Sequence, residues 1–337
     1  MRLIDYDSWL KPFLPQLQQR RKRFLNRLGQ INSGWGSLKE YASAHLQFGL
    51  HFKNDEWHFS EWAPNAKELY LVGEFSDWKP KQGFRLTRGE GGIWSIKLHR
   101  DILKHGDHYK LWMVWEGGAA MRIPAYAQRT VQDPETLLFS AQVWYPNPFQ
   151  WDDHGFSVPD APALIYEAHT GMAQDAERVG SYIEFAENIL PRIKEAGYNT
   201  LQLMAVQEHP YYGSFGYHVS NFFAPSGRFG TPEDLKFLVN KAHQMGIAVI
   251  MDLVHSHSVK NEEEGLSRFD GTSDLYFHYG SRGEHPAWDS RCFDYGKDEV
   301  QRFLLSNCRY WIEEFHFDGF RFDGVTSMLY FHHGLEK

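Results

Sequence analysis

The apolar positions of the first 50 residues repeat at the spacing of an α-helix. They form two groups, Trp9, Leu10, Phe13, Leu14 and Leu17, then Phe24, Leu25 and Leu28. Recurrence every three to four residues places such side chains on one face of a helix. Pro12 and Pro15 interrupt the first group, and a proline inside a helix removes a backbone donor and collides with the preceding turn. We therefore predict a helical segment over residues 1–50 that is broken near its start.

Between residues 56 and 149 the pattern changes to short runs in which apolar and polar residues alternate. Alternation with a period of two is typical of a strand with one buried face. The clearest runs are residues 57–62, 68–72, 92–98 and 108–114, and turns rich in Gly, Pro and Asp separate them. Several such strands in close succession predict an all-β sandwich over residues 51–155.

From residue 156 onward, short apolar strands alternate with amphipathic helices. We predict strands at residues 163–168, 199–203 and 247–254 and around Phe320, and helices at residues 181–196, 231–245 and 298–314. The helix at 231–245 has the clearest boundaries, because Thr231 and Pro232 suit its start and Gly246 suits its end. Repeated strand-helix units on continuous apolar strands indicate a parallel sheet, and we expect Pro191 to kink the first helix.

Composition narrows the functional classes. The formal net charge of −8 over 337 residues argues against a nucleic-acid partner and agrees with a neutral substrate. Aromatic residues make up 16 % of the chain, and their flat faces suit stacking on sugar rings, although most aromatic side chains of any globular protein lie in the core. Two cysteines are too few for a disulfide framework, no apolar run is long enough to span a membrane, and the first residues lack a secretory signal. We expect a soluble cytoplasmic protein without a membrane partner.

The most informative motif is the run Gly-Phe-Arg-Phe-Asp-Gly-Val at residues 319–325. In an extended strand, residues i and i+2 share a face, so Arg321 and Asp323 point the same way. A guanidinium that is always charged favours the ionised form of the neighbouring carboxylate, which is the form that a nucleophile needs. The alternative that the motif leaves open is a structural ion pair.

Two more groups of polar and aromatic residues follow predicted strands. A loop dense in rings, residues 207–218, contains Tyr217 and follows the second strand, and the third strand ends in Asp-Leu-Val-His-Ser-His at residues 252–257. In a β/α barrel, the working residues occupy such positions, at the carboxyl ends of strands and in the loops that follow. Tyr217 is also consistent with plain loop packing. His255 and His257 could be metal ligands, although no third ligand stands at a suitable spacing.

As a set, these motifs resemble glycoside hydrolase family 13, the α-amylase family. Residues 252–257 are similar to the first conserved region of that family and residues 319–325 to its second, and two motifs in order are stronger evidence than either alone. Residues 216–235 and 284–290 narrow the resemblance to 1,4-α-glucan branching enzymes, and the helical start before a β module resembles those of eukaryotic type. Residues 73–78, Gly-Glu-Phe-Ser-Asp-Trp, resemble the family 48 carbohydrate-binding modules that precede such barrels.

The resemblance implies a multidomain protein. It has a helical segment at residues 1–50, a carbohydrate-binding-like β-sandwich at 51–155 and, at 156–337, the first half of a (β/α)8 TIM barrel, truncated after strand four. The implied partner is an α-1,4-glucan polymer, with neither a cofactor nor a metal. The implied reaction is retaining cleavage of an α-1,4 link and transfer to a 6-hydroxyl, in glycogen or starch synthesis. An amylolytic hydrolase of the same family and a glucan-binding fragment without catalysis are the alternatives.

The resemblance also implies roles for individual residues. Asp323 matches the nucleophile that forms a glucosyl ester, and Arg321 matches the group that keeps it ionised. Tyr217 matches the ring that stacks under the sugar being cleaved. His257 matches a hydrogen-bond donor to the hydroxyls of that sugar, and Asp252 matches a carboxylate that helps to hold the site together.

Two features qualify what the resemblance implies. Trp78 is the candidate glucan-binding residue of the β module, although it is equally suited to packing against the next domain. The general acid of the family, a Glu after the fifth strand, and its third carboxylate, an Asp after the seventh, have no counterpart in this sequence. Glu313 and Glu314 end a predicted helix and Glu336 is the penultimate residue, so none of them replaces the acid. We expect the chain to be inactive on its own.

Overall fold

The computed structural model describes residues 3–330 and residue 332, and Glu336 lies outside the described residues. The N-terminal segment is helical, as predicted, with helices α1 (Leu3–Tyr6), α2 (Leu14–Trp35) and α3 (Leu38–Tyr41). Pro12 lies in a 3₁₀ turn, and Pro15 occupies the first turn of α2, where a missing N–H interrupts no helical hydrogen bond. Helix α2 is largely exposed, and the guanidinium of Arg27 connects it to the carboxylate of Asp298 at 2.7 Å.

Two antiparallel sheets follow. Their strands are β1 (Gly49–Lys53), β2 (Glu56–Trp62), β3 (Glu68–Gly73), β4 (Thr87–Arg88), β5 (Ile93–His99), β6 (His108–Trp115), β7 (Gly118–Arg122), β8 (Thr130–Gln132) and β9 (Phe139–Gln142). One sheet has the order β1-β2-β5-β4, and the other has β3-β6-β9-β8 with β7 also paired to β6. The four strands predicted from alternation, β2, β3, β5 and β6, are confirmed. The remaining strands are shorter, so their alternation was too brief to predict them.

The core of this β module comes from the inward-facing positions of its strands. On β3 and β6, Leu69 pairs with Met113 and Leu71 with Leu111, and all four side chains are completely buried. On β2 the buried positions also alternate, but one of them is occupied by the carboxyl group of Glu61.

The remaining described chain combines strands and helices. In chain order they are β10 (Ile165–Ala168), α4 (Tyr182–Glu184), α5 (Leu190–Glu195), β11 (Thr200–Leu203), β12 (Gln207–Glu208), β13 (Asn221–Pro225), α6 (Pro232–Gln244), β14 (Ala248–Leu253), β15 (Ser258–Val259), β16 (Glu284–His285), β17 (Ser290–Arg291), α7 (Asp298–Phe315), β18 (Gly319–Phe322) and α8 (Val325–Leu329). Strands β10, β11, β14 and β18 form a parallel sheet in this order. The predicted parallel sheet of a partial barrel is confirmed.

The first helix of this region is interrupted before Pro191. The prediction was one helix with a kink at Pro191, whereas α4 and α5 are joined by a π-helical turn, Phe185–Ile189, in which the N–H of Leu190 bonds the carbonyl of Phe185. A proline ring collides with the carbonyl four residues before it, and a widened turn moves that carbonyl away.

Helix α6 begins as predicted. The hydroxyl of Thr231 accepts from the N–H of Asp234 at 3.2 Å, and the Asp234 carboxylate accepts from the N–H of Thr231 at 2.7 Å. Together these two bonds satisfy donors that a helix start leaves open. Gly246 follows the helix with a φ of +69°, which agrees with its predicted role as the stop.

The parallel register places the carboxyl ends of the four strands at the same end of the sheet. Leu203 pairs with Met251, and Leu253 pairs with Phe322. The loops that follow β11, β14 and β18 therefore start side by side. No helix in residues 3–330 is both long and apolar enough to cross a membrane.

Candidate active site

Four side chains meet at the carboxyl ends of β14 and β18. Asp252 and Arg321 are register partners on these strands. Nη1 of Arg321 donates to Oδ2 of Asp252 at 3.1 Å and to Oδ1 of Asp323 at 2.7 Å. The hydroxyl of Tyr217 donates to the same Oδ2 of Asp252 at 2.5 Å. The fold thus joins Tyr217, Asp252, Arg321 and Asp323, which the sequence places up to 106 positions apart, in one hydrogen-bonded cluster.

Asp252 is the buried centre of the cluster. Besides Tyr217 and Arg321, its carboxylate accepts from Nε2 of Gln202 on the neighbouring strand β11, at 2.8 Å from Oδ1. Burial raises the pKa of Asp252, while the hydrogen bond from Tyr217 and the charge of Arg321 act in the opposite direction. Three donors directed at two oxygens favour the carboxylate over the protonated acid.

Gln202 was not among the predicted site residues. It is a long polar side chain within a strand whose four residues are all buried. A buried amide needs hydrogen-bond partners, so its presence between two leucines in a predicted buried strand was the available signal.

Tyr217 is positioned by the glycine that precedes it. Gly216 has a φ of +91°, and a Cβ at that position would come within 1.9 Å of the carbonyl oxygen of Ala205. Only glycine allows this close approach, which brings the half-buried Tyr217 to the strand ends. Burial, followed by the hydrogen bond to Asp252, raises the pKa of the Tyr217 hydroxyl, so it remains a donor at neutral pH. Its stacking on a sugar stays a prediction.

Asp323 lies at the turn from β18 to α8. Its backbone N–H bonds the carbonyl of Leu253 at 3.0 Å, and Gly324 follows in a left-handed conformation with a φ of +62°. The Asp323 side chain is 22 % exposed, whereas that of Asp252 is completely buried. Of the two carboxylates that share Arg321, only Asp323 is accessible to a ligand. Because of this difference in exposure, Asp323 is suited to form a bond with a ligand, and Asp252 is suited to hold Arg321 in place.

The two histidines after β14 are bonded within the protein. Nε2 of His255 lies 2.9 Å from Oδ1 of Asn307. Burial lowers the pKa of His255 and of His257 to about 4, so both rings are neutral at pH 7. In the part of the chain that the structure describes, no three side chains are arranged to hold a metal ion.

His257 holds the backbone of Tyr217. Its Nε2 lies 2.9 Å from the carbonyl oxygen of Tyr217, and its Nδ1 lies 2.8 Å from the hydroxyl of Ser256. A carbonyl can only accept, so the single N–H of the neutral ring is on Nε2 and is directed at Tyr217. Donation from His257 to a sugar hydroxyl would require this bond to break, and it stays a prediction.

Trp78 lies apart from this cluster, on the β module. Together with Met121, Val131 and Leu138, it lines a surface groove of about 540 Å³. Glu263, from the long loop after β14, lines the same groove and binds the ammonium group of Lys110 at 2.5 Å. The groove therefore lies where the β module meets the partial barrel.

The glutamates at the end of α7 are also distant from the cluster in the fold. Glu313 pairs with Arg309 at 2.8 Å, and Glu314 pairs with Lys236. Helix α7 ends where the chain enters β18, at the opposite end of that strand from Asp323. The expectation that neither glutamate replaces the general acid agrees with this placement.

Two known domain families match the chain. Carbohydrate-binding module 48 (Isoamylase N-terminal domain) matches residues 47–127, and Alpha amylase, catalytic domain, matches residues 185–290. The first match covers the two antiparallel sheets up to β7. The second begins within the helix before β11 and includes Tyr217, Asp252 and His257.

Curated relatives match nearly the whole chain. The chain is 48 % identical over 340 residues to a 1,4-alpha-glucan-branching enzyme of Yarrowia lipolytica. This alignment covers 98 % of the chain and 49 % of the relative. The chain is 44 % identical to a 1,4-alpha-glucan-branching enzyme of Dictyostelium discoideum, with 99 % of the chain and 50 % of the relative covered. The chain spans about half the length of the curated relatives it matches. The resemblance to branching enzymes is confirmed.

A solved structure agrees with the fold. A pullulanase from Paenibacillus barengoltzii, in complex with maltohexaose and alpha-cyclodextrin, superposes with a TM-score of 0.68 over 83 % of this chain and 49 % of its own. At 19 % sequence identity, this similarity concerns the fold alone.

Proposed function

We propose that this chain is the N-terminal portion of a 1,4-alpha-glucan-branching enzyme and supplies half of its active site. The observation that carries the proposal is the accessible carboxylate of Asp323, held 2.7 Å from the guanidinium of Arg321 at the end of the fourth parallel strand. The sequence identity of 44–48 % to branching enzymes supports it. The three parts of the protein are proposed to be residues 1–50, 51–155 and 156–337.

Asp323 is proposed as the nucleophile of a retaining reaction. Its carboxylate attacks C1 of a glucosyl unit, the α-1,4 bond breaks, and the leaving oxygen takes a proton from a general acid. In the second step, the 6-hydroxyl oxygen of another glucan attacks C1, its proton passes to the deprotonated general acid, and the ester bond breaks, which regenerates the Asp323 carboxylate. The family resemblance implies a Glu after the fifth strand as this acid, in the half of the relatives that the chain does not span.

The other clustered residues are proposed to prepare Asp323 for this step. Arg321 stabilises its ionised form, and Asp252 fixes Arg321 and the hydroxyl of Tyr217 in one arrangement. Tyr217 is proposed to stack under the sugar at the cleaved bond, and His257 is proposed to bind the hydroxyls of that sugar.

The substrate is proposed to be an α-1,4-glucan. The relatives at 44–48 % identity are named 1,4-alpha-glucan-branching enzymes, which supports this substrate class. Trp78 and its groove are a proposed second contact for the polymer, away from the reacting bond. The finer proposal is glycogen or starch synthesis in the cytoplasm, where Cys292 and Cys308, both free, would remain reduced.

Apolar side chains are exposed on the two outermost strands of the parallel sheet, which is evidence that this chain is part of a longer protein. Ile165 on β10 is 45 % exposed and Phe322 on β18 is 39 % exposed. Barrel strands are normally covered at both edges by neighbouring strands, because an open edge invites aggregation. These side chains are proposed to be covered by the second half of a barrel in the complete enzyme.

The test uses the full-length polypeptide that contains this chain, as wild type and as D323N. Both proteins are incubated with amylose, and new α-1,6 links and new reducing ends are counted. We expect the wild type to form α-1,6 links, and D323N to lose transfer while its affinity for amylose stays within about threefold, because the loss falls on covalent chemistry. Reducing ends without new branches would instead identify a hydrolase. A D323N protein that branches at the wild-type rate would remove Asp323 from the mechanism.

A further inference from the structure

A short hairpin in the long loop after β14 carries a tryptophan to the site. Strands β16 and β17 are joined by a 3₁₀ turn, Pro286–Trp288, and by Asp289, whose φ is +44°. The ammonium group of Lys260 binds Asp289 at 2.6 Å and Glu284 at 3.2 Å, so it connects both ends of the turn. The position of Trp288 is therefore defined by its hairpin.

The indole of Trp288 lies close to the residue that follows Asp323. A Cβ added to Gly324 would lie 3.0 Å from Cη2 of Trp288 and 2.6 Å from the hydroxyl of Ser256. The ring centroid of Trp288 is also 4.9 Å from that of His257. Trp288 thus lies between His257 and the turn that presents Asp323.

The Trp288 ring is stacked on a neighbouring ring but is not fully buried. The imidazole of His285 stacks on it in parallel, with centroids 3.9 Å apart and an interplanar angle of 7°. The residue is nevertheless only half-buried. Trp288 therefore keeps solvent-accessible surface, and its Cη2 is directed at Gly324, the residue that follows the candidate nucleophile.

We propose that Trp288 determines whether the ester at Asp323 is resolved by a glucan or by water. This inference rests on the proposed function. Both acceptors attack C1, break the ester bond and give up a proton to the general base, but they differ in what they find beside the ester. The apolar face of an indole offers water no hydrogen bond and displaces it, whereas the C–H face of a sugar packs on the ring. Trp288 therefore favours transfer over hydrolysis.

The experiment measures the ratio of new α-1,6 links to new reducing ends on amylose. It uses the full-length enzyme as wild type, W288A and W288F, with Y279A as the control. Tyr279 belongs to the same loop and is 80 % exposed. We expect W288A to lower the ratio by about tenfold or more, W288F to keep it within about threefold because a flat apolar ring remains, and Y279A to leave it unchanged.

Two results separate the failure of this inference from that of the proposed function. A wild-type enzyme that forms no branches contradicts the proposed function, and the inference falls with it. A wild type that branches, with the same ratio in W288A, overturns the inference alone. If W288A does not fold, W288L replaces it, and a fall of both reactions at a constant ratio would show that Trp288 only packs.

Discussion

Replacement of Asp252 by Asn tests whether the buried carboxylate organises the site. In the wild type, the two oxygens of Asp252 accept from Gln202, Tyr217 and Arg321. An Asn has one acceptor oxygen. If this oxygen faces Gln202, the amide NH₂ is directed at the guanidinium of Arg321, which cannot accept a hydrogen bond. Arg321 then loses one of its two carboxylate partners, and Tyr217 loses a charged one.

The magnitude follows from these contacts. A hydrogen bond to a charged group is worth about 1.5–3 kcal/mol, and we use the lower end for Arg321 because its side chain is 47 % exposed to solvent. The loss of the charged acceptor for Tyr217 adds about 1–2 kcal/mol. If both losses fall on the transition state, kcat decreases by about 10²-fold.

The free energy of unfolding should respond differently. Burial raises the pKa of Asp252, so the folded state holds its carboxylate at a disadvantage that a neutral Asn relieves. The removal of this buried charge stabilises the folded state, and the lost hydrogen bonds destabilise it. We expect the free energy of unfolding to change by less than about 2 kcal/mol.

The assay is kcat on amylose for full-length wild type, D252N and the control D270N, together with unfolding in urea. Asp270 is also completely buried, but it bonds Asn65 and Thr272, away from the strand ends. We expect D270N to lose stability while the folded fraction keeps its kcat. A D252N enzyme with wild-type kcat, or one whose activity falls only in proportion to its unfolded fraction, would refute the reasoning.

Three further predictions concern charged groups. R321K should lower kcat on amylose more than it lowers stability, because an ammonium cannot hold two carboxylates in the plane of a guanidinium, and wild-type turnover would make Arg321 structural. Burial raises the pKa of Glu61 from 4.5 to about 8, so the folded state keeps a proton that the unfolded state releases. The free energy of unfolding should therefore fall by about 5 kcal/mol between pH 4.5 and 8. Urea unfolding at several pH values should show this pH dependence in the wild type and its loss in E61Q. Burial alone would lower the pKa of His243, but the carboxylates of Asp318 and Asp153, at 3.0 and 2.9 Å, raise it. The stability from these pairs should be complete below about pH 6.5 and disappear as pH rises through the raised pKa, and H243Q should remove that dependence in the same titrations.

The sequence by itself determined the elements and the local chemistry. Alternation over β2 and β6, the Thr231 cap and the strand around Phe320 depend on residues within a few positions of one another, so the pattern contains them. The pairing of Arg321 with Asp323 is equally local, although β18 ends at Phe322 and Asp323 lies in the turn that follows it. Motif resemblance added the similarity to branching enzymes, which the sequence identity to the relatives confirms.

Only the tertiary structure decided how distant residues meet. Gln202 bonds Asp252 across two neighbouring strands, the N–H of His257 is directed at the carbonyl of Tyr217, and Trp288 reaches Gly324 from a hairpin in a different loop. These contacts depend on strand register and loop path, which leave no periodic signal in the sequence. For the same reason, Trp78 could be recognised as an aromatic candidate, while its distance from the cluster followed only from the packing of the β module against the partial barrel.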